Sequence, residues 1–118
     1  MSVFILSLPK SKTVSGLSDI EKIVDTLDTL YKRLNTIITT SEFIVTTIIP
    51  NIIKTLRELN CEYHSMQISS DKIRILFSTN NKKTCIGVVI ELNKINDTAV
   101  KLKSHYYIQG DSCDFKLF

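Results

Sequence analysis

Ile73-Arg-Ile-Leu-Phe-Ser-Thr79, Thr84-Cys-Ile-Gly-Val-Val-Ile-Glu-Leu92 and Val100-Lys-Leu-Lys-Ser-His-Tyr-Tyr-Ile108 decide the fold of this chain. With Tyr63-His-Ser-Met-Gln-Ile-Ser69 before them, they read as four strands rich in β-branched and aromatic residues. Their separators, Ser70-Asp-Lys72, Asn80-Asn-Lys-Lys83 and Asn93-Lys-Ile-Asn-Asp97, are short and polar. A parallel crossover needs about a dozen residues or more, so these neighbours must be antiparallel. The expectation is a four-stranded antiparallel meander. One of its faces is apolar and has to be covered by helices, which makes a two-layer α+β domain. In the last strand Val100, Leu102, Tyr106 and Ile108 point one way and Lys101, Lys103, His105 and Tyr107 the other. The second set predicts a wet, cationic face.

The helices lie upstream. Ile20, Ile23, Val24, Leu27, Leu30, Tyr31 and Leu34 recur at helical spacing from Ser18 onward. Ser18-Asp-Ile-Glu21 reads as a capping box at one end, and Lys32 and Arg33 meet the negative end of the helix dipole at the other. Asn35-Thr-Ile-Ile-Thr-Thr40 then interrupts the pattern with residues that favour extended backbone. A second helix is expected from about Thr47 to Leu59, with Pro50 in its first turn and Asn60 as its left-handed stop. Residues 42–45 fit either this helix or the segment before it. Residues 1–17 read as an arm, with Val3 to Leu8 as a candidate edge strand, and residues 18–118 as a single domain.

Composition bounds the function. The chain has 118 residues, 43% hydrophobic and 23% charged, with only 3 Gly and 2 Pro. That is one globular domain rather than a linker or a disordered tract. A formal net charge of +3 is small for a DNA binder, and no aromatic platform interleaves with the cations, so no nucleic-acid partner is expected. No transmembrane segment is expected, because no uncharged apolar run approaches about eighteen residues. Lys10 and Lys12 follow the apolar start with no basic stretch before it, which argues against a signal peptide. Three well-separated cysteines point to free thiols in a reducing compartment.

Catalytic motifs are missing. Gly16, Gly87 and Gly110 are too scattered to cradle a phosphate, and no metalloprotease, hydrolase or kinase signature occurs. Cys61 and His64, with Cys85, His105 and Cys113, contain no paired CxxC spacing, so neither zinc nor a Cys-His nucleophile is expected. The reading assigns no catalytic residue, no metal and no cofactor. Charge is more informative. From Lys72 to Lys103 there are seven cations and two anions. Arg74, Lys82, Lys83, Lys101 and Lys103 are therefore either a solvated face or a surface for anionic lipid or an acidic protein.

Two stretches carry a resemblance. Lys32-Arg-Leu-Asn-Thr-Ile37-Ile38-Thr39 places a basic pair before two bulky apolar residues. Gly110-Asp111-Ser-Cys-Asp114-Phe115-Lys116 follows the last strand. In this order, with a meander between them, they resemble the kinase-associated 1 domain found at the C-terminus of several serine/threonine kinases, including kinases of the DNA-damage checkpoint. The likeness covers roughly residues 30–118. It departs from the family at Leu117, where a second basic residue is usual, and at the terminal helix that the family adds after this point.

The resemblance implies a non-catalytic, autoinhibitory domain that folds back on a kinase catalytic domain and meets checkpoint proteins, in nucleus and cytoplasm. It implies interaction roles for Lys32, Arg33, Ile37, Ile38, Gly110, Asp111, Asp114, Phe115 and Lys116. Relatives that bind anionic phospholipid supply one alternative, and a small adaptor protein supplies another. Without any family, Gly110 and the residues after it read as strand-to-helix punctuation, with Asp111 or Ser112 as a cap.

Overall fold

The computed structural model describes residues 19–79 and 84–109. Helix α1 (Asp19–Leu34) leads into a two-residue strand β1 (Ile38–Thr39) and a short helix α2 (Ser41–Phe43). A π-helical stretch (Ile44–Ile48) and helix α3 (Ile49–Glu58) continue α2 without a break, so residues 41–58 form one helix. Strands β2 (Cys61–Ile68), β3 (Lys72–Thr79), β4 (Cys85–Lys94) and β5 (Val100–Gln109) follow. The architecture is α+β. All pairings are antiparallel, and the sheet order is β1-β5-β4-β3-β2.

The sheet therefore has five strands, which corrects the expectation of four. Ile38 pairs with Lys101 and Thr39 with Val100. The Leu102 N–H donates to the Ile37 carbonyl at 3.1 Å, and the Ser104 N–H donates to Asn35 Oδ1 at 2.9 Å. The β-branched run after α1 gains these bonds by staying extended beside β5, where a helix would leave the edge of β5 bare.

The second helix also starts earlier than its expected Thr47. Thr40 caps it, accepting from the Phe43 N–H at 3.1 Å. Pro50 is thus inside a helix rather than at its start. It lacks an N–H, and its ring crowds the carbonyl four residues back. The π-helical stretch just before it relieves that conflict: the Ile49 N–H reaches back five residues to the Ile44 carbonyl. Asn51 adds a side-chain bond to the Thr47 carbonyl at 2.8 Å. Asn60, at φ 64°, ends the helix in the left-handed conformation as expected.

Burial follows the pleat. One sheet face presents Ile73, Ile75 and Phe77 of β3, Ile86, Val88 and Ile90 of β4, and Leu102 of β5. Ile23, Leu27, Leu30 and Leu34 of α1 pack in the same core, with Ile44, Ile48, Ile52 and Leu56 of the second helix. Ile53 is only half-buried, and Phe115 lies outside the described residues, as does the Ser18 cap. The opposite face is not bare. Leu76, Ser78, Cys85 and Val89 point away from the helices and are still at most 6% exposed. Cys61 is a buried thiol on the helix side, whereas Cys85 is disulfide-bonded, which corrects the expectation of free thiols at that position. The cysteine count accordingly loses its force as an argument for a reducing compartment.

Candidate interaction surface

The strand register assembles the outer face in rows. Lys72, Glu91 and Lys103 form one row across β3, β4 and β5, and Arg74, Val89 and His105 form the next. Lys101 lies one step beyond Lys103 on the same face, beside Ile38 of β1. Lys101, Lys103 and His105 are exposed and Arg74 is half-buried. Three of the five cations named as an anion surface therefore share one end of one face. Lys82 and Lys83 lie outside the described residues. The strand ends that flank them, Thr79 and Cys85, are at the other end of the sheet. Six residue steps along β4 lead from Cys85 to Glu91, a span of about 20 Å.

The far end of this face is apolar. Leu76, Gly87 and Tyr107 form a row there. Gly87 has no side chain because Tyr107 occupies the space: a Cβ added at Gly87 would fall on the phenol ring. Burial pushes the Tyr107 hydroxyl pKa up, and the positive charge of Arg74 pulls against that shift. Neither Leu76 nor Val89 was singled out as a site from the sequence. The signal was present, however, because Leu76-Phe77 and Val88-Val89-Ile90 are consecutive apolar residues, and a strand with only one buried face would alternate.

The first resembling stretch turns a corner at the edge of the sheet. Lys32 and Arg33 are exposed in the last turn of α1, Ile37 is half-buried against the core, and Ile38 is 61% exposed. A tie between α1 and β5 sets the angle at this corner. The Tyr106 hydroxyl donates a short hydrogen bond to Asp28. That bond, together with burial and the carboxylate charge, raises the Tyr106 pKa from 10.0 to about 12. The second resembling stretch, with Gly110, Asp111, Asp114, Phe115 and Lys116, lies outside the described residues, directly after β5.

Among the described residues no group of three or more His, Cys, Asp or Glu side chains is placed to hold a metal ion. None of their helices is long and apolar enough to cross a membrane. No protein-family model, no curated protein and no solved structure matches this chain.

Proposed function

We propose that the chain is a regulatory, non-catalytic domain of kinase-associated 1 type that holds a serine/threonine kinase inactive by binding its catalytic domain. Within that class the likeness runs to the C-terminal domain of the effector kinase of the DNA-damage checkpoint, called checkpoint kinase one. One observation supports the reading above others: the first resembling stretch pairs onto β5, the strand that the second follows in sequence. The Lys32–Thr39 stretch pairs onto the start of β5 at Val100 and Lys101, and Gly110 follows its last residue, Gln109. The first stretch and the strand that it joins carry exposed Lys32, Arg33, Ile38, Lys101 and Lys103. A tethered domain needs only a weak interface, because tethering supplies effective concentrations in about the millimolar range.

The test is charge reversal in the full-length kinase. Lys32→Glu with Arg33→Glu should raise basal phosphorylation of a peptide substrate while circular dichroism of the isolated domain stays unchanged. Unchanged basal activity would reduce these cations to a solvated helix end.

Anionic lipid is the second reading, favoured by the clustering of Arg74, Lys101 and Lys103 on one face. Lys82 and Lys83, the other two cations of that expectation, lie outside the described residues and add nothing to it. Vesicles of phosphatidylserine and phosphatidylcholine should then retain the wild-type domain and release it with salt. They should not retain a Lys101→Glu/Lys103→Glu variant. Equal retention of both proteins removes the lipid reading.

A further inference from the structure

The edge strand β2 is, we infer, a self-association surface: it pairs antiparallel with β2 of a second copy of this chain, about a two-fold axis at Gln67. The backbone carries the first part of the argument. Among the described residues the sheet order ends at β2, and no strand lies beyond it. The Ser69 N–H donates to the Lys72 carbonyl at 2.8 Å across the turn, which fixes the phase of the ladder. In an antiparallel pair, inward and outward backbone groups alternate along the strand. Gln67, opposite Arg74, therefore bonds into β3 as Ser69 does, while Met66 and Ile68 direct their N–H and C=O groups away from it. The opposite edge is protected where β1 lies. Ile37 and Asn35 accept from the Leu102 and Ser104 N–H groups of β5, and exposed Lys101 and Lys103 flank them. No Lys, Arg or Pro guards β2. Its one irregularity, at His64, leaves Ser65 to Ile68 in unbroken register with β3.

The side chains select a second copy as the occupant. Met66 and Ile68 face the helix side, opposite Ile75 and Ile73 of the core. Ile68 is 62% exposed and Tyr63 42%, although Ile73 is buried. The helix layer thus stops short of β2 and leaves room beside it. With Gln67 on the axis, Met66 of each copy lies opposite Ile68 of the other, and each such pair exchanges both of its main-chain bonds. Opposed residues share a face, so both helix layers stay on one side and the two apolar pairs cover each other. Charge agrees with this register. Glu62 is the only formal charge in β2, and an antiparallel partner sets the two Glu62 side chains about 30 Å apart rather than opposite. Each runs out instead beside the turn at 69–72 of the other copy, where Lys72 is exposed and Asp71 accepts from the Ser69 hydroxyl at 3.2 Å. Strand β1 has only two residues, so the pairing does not propagate from copy to copy and closes as a dimer. None of Lys32, Arg33, Lys101 and Lys103 belongs to β2, so the inference stands apart from the kinase reading.

The experiment uses the whole 118-residue protein in sedimentation equilibrium, up to about the millimolar range. The wild type should show a monomer–dimer equilibrium. Ile68→Lys should raise the dimer dissociation constant at least about tenfold, with circular dichroism unchanged because the side chain is exposed. Ile95→Lys, at a comparably exposed position on the β4–β5 connection, should associate as the wild type does. Gln67→Cys reads the register independently. Under mild oxidation two copies should link through the introduced thiols, because directly opposed residues bring their Cβ atoms to about 4.5–5.5 Å. The Met66 and Ile68 amides should gain protection from hydrogen exchange as the protein concentration rises. A monomer at every concentration would overturn the inference, as would a dimer indifferent to Ile68→Lys. A dimer that the Gln67→Cys thiols fail to link would place the axis elsewhere and overturn the register. Protection of the two amides at all concentrations alike would give the edge to a segment of the same chain, and the second copy would have no place on it.

Discussion

Two tyrosines on neighbouring positions of β5 are used in opposite ways. Tyr106 ties the sheet to α1 through Asp28, and its raised pKa gives the tie a pH limit. The native state favours the protonated phenol, so the stabilisation is complete below pH 10 and fades as the pH climbs through about 12. Tyr106→Phe should lose stability at neutral pH. It should also flatten the decline of wild-type stability between about pH 10 and 12, measured by urea titration against the wild type. A parallel decline in both proteins would assign the effect to other groups. Tyr107 instead fills the space above Gly87. Gly87→Ala should displace the ring and destabilise the fold by about 1–3 kcal/mol, with Tyr107→Ser on the same background restoring much of it. A thermal scan with no change for Gly87→Ala would mean that the ring gives way freely.

Among the elements, the helix over residues 41–58 and the meander account for most of the core. Leu56 is 1% exposed between α3 and the sheet, so Leu56→Ala should cost about 2–5 kcal/mol in chemical denaturation. A loss below the range would mean that the site collapses around the gap. Period and loop length made β2 to β5 and α1 legible, because both are local properties of the sequence. The helix start was not, since Pro50 signals a first turn unless the π-helical relief is known. Nor was β1: two residues carry no period, and only β5, some sixty residues away, makes Ile38 and Thr39 a strand. The His64 bulge, where Tyr63 pairs with Phe77 and Ser65 with Leu76, likewise leaves no mark in the alternation. Of the candidate site, Lys101 and Lys103 were readable as outward-facing from the alternation in β5. Their distance from the β3–β4 connection was not, because it depends on which strand ends lie together.

At the scale of the molecule, the bonds joining α1 and the residue after it to the sheet reach across 69 and 78 positions of sequence, from Asn35 to Ser104 and from Asp28 to Tyr106. A chain made from its N-terminus therefore completes α1 long before it completes the strand that receives it. At about 5–20 residues per second, roughly 4–14 s pass before β5 follows. Throughout that interval Ile23, Leu27, Leu30 and Leu34 lack β5, the strand to which the Asp28 and Asn35 bonds tie this end of the chain. Nascent chains stalled before Val100 should present this stripe to a chaperone, and chains released at full length should not, which crosslinking during translation can measure. The small bond between Asn35 and the backbone of Ser104 thus sets an order of events: the helix made first is seated last.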